Sequence, residues 1–240
     1  MIETVTALLV AHVLADFVLQ TDGMIANKRA PQVLLLHIAI VLVLSQAAIG
    51  QVAAPAVLAL AGAHLVIDLV KIFATKSGLA AFLFDQAAHL ASIAAVAALA
   101  PGLWASGLWA GLPAPLPLAA LHGALLIAGL IAATRAGGFA VGMLMKRHGQ
   151  APDLPEGLAG GGLTIGLLER GLIFLLVLVG QPAGIGFLIA AKSILRFGTV
   201  SESRAASEYV IIGTLASFGW ALIVAYATLA LQGALPPLSP

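Results

Sequence analysis

Residues 4–19 read TVTALLVAHVLADFVL, an apolar run broken by one imidazole, His12, and one carboxylate, Asp16. A helix of about 20 such residues spans the hydrocarbon core of a bilayer at about 1.5 Å per residue. The preceding Met1-Ile2-Glu3 carries no basic residue, and the core of a removable leader does not hold His and Asp. The run therefore reads as a first membrane helix. The pattern returns farther on: Ala11-His12-Val13-Leu14-Ala15-Asp16 is echoed by Ala63-His64-Leu65-Val66-Ile67-Asp68, an offset of 52.

The composition of the whole chain agrees. Of 240 residues, 61% are hydrophobic and 9% charged, against about 25% charged in a soluble domain. Lys and Arg number 11 and Asp and Glu 10, a net charge of +1, so no basic stripe exists to hold a phosphate backbone and nucleic acid is excluded as a partner. There is no cysteine, which removes disulfides, thiolate nucleophiles and thiolate metal ligands. Apolar segments lie at 3–20, 32–50, 52–75, 79–100, 118–137, 161–180, 184–197 and 208–231, separated by Pro and Gly breakers. The expected fold is an all-α polytopic membrane helix bundle of about eight spans, the seventh short enough to be re-entrant. Residues 1–100 form a four-helix unit and 101–240 a second group of four.

Connections after odd-numbered spans hold Lys28 and Arg29, Lys76, Lys146 and Arg147, and Arg204, whereas those after even-numbered spans hold no Lys or Arg. The positive-inside rule then puts both termini outside, in what is expected to be a bacterial inner membrane. Trp104 and Trp109, in the uncharged 101–117 connection, read as an outer interfacial belt.

A charge or imidazole inside hydrocarbon is costly and marks function or a partner. The first four spans hold His12 and Asp16, His37, His64 and Asp68, and Asp85 and His89. His12 and Asp16, like His64 and Asp68, are i, i+4 and share a helix face; chance placement predicts roughly 0.1 such pair. His12 to His37 and His64 to His89 are both 25 residues. This is the pattern of a duplicated two-helix unit with parallel copies. Asp85 faces Val33 and Lys71 faces Leu19 across the repeat, so any site is pseudo-symmetric. All seven residues fall roughly 6 to 17 Å below the cytoplasmic surface at 1.5 Å per residue.

At these positions the sequence resembles a family of bacterial multi-pass proteins of uncharacterised activity, the domain of unknown function 3307. The resemblance rests on His12-x3-Asp16-Phe17-x2-Gln20-Thr21-Asp22, His37, His64-x3-Asp68-x2-Lys71 and Asp85-Gln86-x2-His89, over roughly the first hundred residues. It implies a membrane location and a shared polar cluster and carries no activity.

His and carboxylate ligands suit zinc, manganese or iron. His12, Asp16, His37, His64, Asp68, Asp85 and His89 are the candidate ligands of a divalent site, read as dinuclear. Two ions and a hydroxide would balance the three carboxylates, which Lys71 alone cannot. Arg170, Lys192 and Arg196 are candidate phosphate or substrate contacts. Glu169 is a candidate anion between Lys192 and Arg196, and Lys71 and Glu169 are the catalytic candidates. Adjacent Glu169 and Arg170 point about 100° apart, so each needs a partner on another helix. A hydrolase acting on a lipid or membrane-embedded substrate is the leading expectation. A divalent-cation or proton-coupled transporter is the alternative, and hydrogen-bonded structural glue with no metal the second. His122 and His148 read as solvated, and Glu202 and Glu208 flank the seventh connection.

Overall fold

The structure is a computed structural model that describes residues 1–74, 77–147, 158–200 and 204–238, with side chains described only to residue 194 in the third stretch. Among the described residues there is no strand. The helices are α1 (Ile2–Leu14), continued by a π-helical turn at Ala15–Leu19, a short α2 (Asp22–Ala26), α3 (Pro31–Ile49), α4 (Pro55–Ala74), α5 (Leu79–Leu99), α6 (Leu116–Ile131), a second π turn at Ala132–Ala136, α7 (Gly137–Lys146), α8 (Gly161–Leu178), α9 (Gly184–Val200) and α10 (Arg204–Ala234).

Among the described residues, seven helical stretches are long and apolar enough to cross a membrane: Ile2–Leu19, Pro31–Ile49, Pro55–Ala74, Leu79–Leu99, Leu116–Lys146, Gly161–Leu178 and Arg204–Ala234. The expected seventh span falls on α9, whose described apolar stretch, Gly184–Ile194, ends where the described side chains end. Polarity is arranged for lipid: large apolar side chains such as Val43, Val66, Phe73, Phe84, Phe187 and Ile223 are exposed, while His12, His37, His64, His89, Asp16, Asp68, Asp85 and Arg170 are buried. Water would select the opposite distribution, and hydrocarbon selects this one.

The chain divides into two compact units, Met1–Ala128 with Ala230–Pro240, and Gly129–Leu229. In the first, α1 packs between α3 and α5 and is the most buried of the spans, with Ala7, Ala11 and Ala15 buried along one stripe. Side chains this small let neighbouring backbones approach closely, the main source of helix association in lipid. Gly50 ends α3 at φ 74°, with its N–H donating to Ala47 O and that of Gln51 to Gln46 O, a left-handed cap that a side chain would strain. The Gln46 amide bonds both backbone groups of Ala54 just before α4. The 101–111 segment is pinned by the Trp104 N–H to Thr4 Oγ1 at 3.2 Å, the Leu108 N–H to Gly50 O at 2.8 Å and Trp109 Nε1 to Ala47 O at 2.6 Å.

Trp104 is not an interfacial residue as expected. It is buried against Ile49, Ala54 and Leu125. His122 is likewise not solvated, since its ring meets Gln232 and the Pro236 carbonyl. Lys76, His148 and Glu202 lie outside the described residues.

Gly107 packs against the Ile49 carbonyl so closely that a Cβ there would overlap it. Gly107→Ala is expected to cost about 1–3 kcal/mol by overpacking. Thermal unfolding in detergent, followed by tryptophan emission, checks this.

Candidate metal centre

Four helices of the first unit bring the seven polar residues together. His12 and Asp16 come from α1 and its π turn, His37 from α3, His64 and Asp68 from α4, Asp85 and His89 from α5. Each is at most 9% exposed. Asp16 sits inside the π turn, whose i, i+5 bonds include the Gln20 N–H to Ala15 O at 3.0 Å. Such turns are rare, and they concentrate at functional sites because the extra residue re-aims a side chain.

The reactive atoms converge, with one hydrogen bond between the two central rings and the ring-to-carboxylate separations too long to bond well. His37 Nε2 and His64 Nε2 are 3.1 Å apart. Asp16 Oδ1 lies 3.5 Å and 3.6 Å from them, and Asp68 Oδ2 3.6 Å and 3.7 Å. His12 Nδ1 is 3.9 Å from Asp16 Oδ1, and His89 Nε2 3.6 Å from Asp85 Oδ1. Hydrogen bonds to oxygen run about 2.7–3.2 Å. Accordingly Asp16 Oδ1, Asp68 Oδ2, Asp85 Oδ1, His12 Nδ1, His37 Nδ1 and both nitrogens of His89 are buried with no hydrogen-bond partner.

These separations suit ligands that share an ion. The point equidistant from Asp16 Oδ1, His37 Nε2 and His64 Nε2 is about 2.0 Å from each, the length of a zinc–imidazole or zinc–carboxylate bond. Three groups have ligand atoms all within 4.8 Å of one another and are capable of holding a metal: His12, Asp16 and His64; His37, His64 and Asp68; and Asp68, Asp85 and His89. His12 Nε2 meets Gln86 Oε1 at 3.3 Å, an arrangement in which the amide fixes the tautomer and leaves Nδ1 as the lone-pair donor.

Two lysines complete the electrostatics. Lys71 pairs with Asp85, whose Oδ2 also accepts from Gln86 Nε2. Lys28, read from sequence as a loop charge that orients the chain, turns inward and holds Asp68 Oδ1 at 2.7 Å. Its side chain is 13% exposed. The only sequence signal for it was a buried carboxylate in need of a cation near a short, Thr21-capped turn. Beside Lys71 and Asp85 runs an apolar groove of 280 Å³ bordered by Val66, Val70, Phe84 and Ala88. Val66, Val70 and Phe84 are exposed on the lipid-facing surface.

The second unit holds the remaining candidates. Glu169 and Arg170 diverge as expected: Glu169 pairs with Lys192 of α9 at 2.8 Å, and Arg170 donates from Nε and Nη2 to Thr134 O and from Nη1 to Ser217 Oγ. The Thr134 carbonyl belongs to the π turn at Ala132–Ala136. The side chain of Arg196 lies outside those described.

Buried His and Asp on apolar spans place the chain among multi-pass membrane proteins with a polar centre. Residues 4–107 match the family described as "Protein of unknown function (DUF3307)". The match takes in all seven cluster residues, Lys28 and Lys71, and agrees with the resemblance over the first hundred residues. No curated protein and no solved structure gives a significant match.

Removing the Lys28 ammonium strands a buried carboxylate. Lys28→Met is expected to cost about 3–5 kcal/mol, and the Lys28→Met/Asp68→Asn pair clearly less. A double-mutant cycle on unfolding in detergent measures the difference.

Proposed function

We propose that the first unit binds one divalent metal ion within the membrane through His12, Asp16, His37 and His64, and uses it to hydrolyse a lipid or another membrane-embedded substrate. The observation that carries the reading is the convergence of Asp16 Oδ1, His37 Nε2 and His64 Nε2 around a point about 2.0 Å from each, with Asp16 Oδ1 and the nearby His12 Nδ1 buried and without a hydrogen-bond partner.

Charge favours one ion over two. With Lys28 on Asp68 and Lys71 on Asp85, Asp16 is the carboxylate left to balance. One divalent ion with a hydroxide neutralises it, whereas two would leave excess positive charge in a low-dielectric interior. A divalent ion here supplies Lewis acidity and makes water a nucleophile near neutral pH. Gln86 orients His12, and Lys28 and Lys71 hold the outer carboxylates in place. The groove beside Lys71 and Asp85 supports an apolar substrate, because an acyl chain or a helical segment can lie along Val66, Val70 and Phe84 without entering water. The parallel duplication of the first four helices belongs to the same reading. So do the inner-membrane location and the orientation with both termini outside and the centre in the cytoplasmic leaflet.

Metal content of detergent-purified protein by plasma mass spectrometry is expected to give about one equivalent per chain, lost in Asp16→Asn and His64→Ala, with Gln86→Leu weakening affinity by about 10–100-fold. Release of fluorophore from labelled phospholipid or membrane-peptide substrates should fall with the metal. No metal under any loading condition ends the reading. Metal uptake into proteoliposomes without hydrolysis reassigns the same centre to transport.

A further inference from the structure

The second unit contains a polar pocket that the metal reading does not use. We infer that this pocket binds a phosphate group, presented either by a phospholipid headgroup or as free phosphate. The cavity is 290 Å³, and its polar lining is Glu169, Arg170, Lys192, Tyr209, Thr214 and Ser217.

Three observations converge. The first is charge: two cations face one carboxylate. Glu169 is committed to Lys192 at 2.8 Å, and Lys192 also lies 5.5 Å over the Phe218 ring. Arg170 is 4% exposed, and the hydrogen-bond partners of its guanidinium are neutral, the Thr134 carbonyl and the Ser217 hydroxyl. Among the described residues no carboxylate forms an ion pair with it. The pocket carries a net charge of about +1 in a setting where an unbalanced ion is costly.

The second is room. Arg170 spends three of its five N–H donors on those partners. Gly166 and Gly138 let the guanidinium sit close beside their backbones, since a Cβ at Gly166 would come 2.9 Å from Nη1 and one at Gly138 3.3 Å from Nη2, and two of its N–H groups are left for a ligand in the cavity that Arg170 lines. Two N–H groups on a planar fork match the oxygens of a phosphate, and Lys192, Tyr209 and Thr214 line the same cavity.

The third is depth. The α8 residues that line the cavity run from Gly162 to Arg170, the first half of Gly161–Leu178. They descend at most about 13 Å from the helix end, less than half the hydrocarbon thickness. Leu163 and Leu215, next in sequence to lining residues, are exposed apolar surface against which acyl chains can lie. A phosphodiester monoanion held at this level balances the pocket and keeps its tails in lipid.

The test is independent of the metal centre. The full chain in neutral detergent is titrated with phosphatidylglycerol, diacylglycerol and inorganic phosphate, and bound ligand is counted by native mass spectrometry. Phosphatidylglycerol bound in preference to diacylglycerol supports the site and a lipid source; inorganic phosphate competing at similar concentration supports the site and a free source. Binding of neither phosphate compound, or equal retention of diacylglycerol, overturns it. Lys192→Gln should weaken phosphate binding by about tenfold and Glu169→Gln strengthen it by a similar factor, the scale of one charged hydrogen bond. Arg170→Gln should abolish it. Because Arg170→Gln threatens folding, the opposite signs of the other two decide: equal shifts in both, or none, would show the residues to be structural only.

Discussion

A carboxylate in hydrocarbon has no water to fall back on, so every one must find a cation or a donor within reach of its own side chain. The first unit is organised around that constraint. Asp68 and Asp85 each take a lysine, one from the connection after α1 and one from the last turns of α4. Asp16 takes neither, and the ring nitrogens gathered around it stay beyond hydrogen-bond length. α1, the most buried span, carries a stripe of alanine and presents His12 and Asp16 to groups of α3, α4 and α5.

The same constraint acts on backbone. A π turn leaves carbonyls off the α-helical ladder, and lipid cannot satisfy them. At Ala132–Ala136 the Thr134 carbonyl is met by two donors of Arg170. At Ala15–Leu19 the turn lies in the polar centre itself and carries one of its carboxylates. Both irregular turns thus coincide with the two places where charge is buried.

Much of this was legible in the sequence. The apolar runs located the helices, because length and hydropathy alone decide what can cross hydrocarbon. The i, i+4 pairs placed His12 with Asp16 and His64 with Asp68 on shared faces, and all seven polar residues do meet. Lys28 was placed in its connection, but its pairing with Asp68 was missed, because a lysine at a connection's surface and one folded back onto a buried carboxylate have the same sequence context. Trp104 was misread for a related reason: an aromatic residue in an uncharged loop suits either a membrane interface or a core. Only the bonds from 101–111 back to Thr4, Ala47 and Gly50 decide between them. The π turns have no sequence signature, since they depend on the packing of neighbouring helices.

Lys28 has a consequence that reaches beyond stability. It is carried by the segment between α2 and α3, not by a spanning helix, so the charge of the centre depends on where that segment lies. With the ammonium seated, Asp68 is neutralised; with it withdrawn, the same ring of ligands is one unit more negative and attracts a cation more strongly. Thermodynamic reciprocity then requires that any cation held by the centre loosen the segment by the same free energy by which the seated segment weakens the cation. For an occupied centre, the α2–α3 segment and the buried ligands would then be coupled through Asp68, so that one end reports on the occupancy of the other.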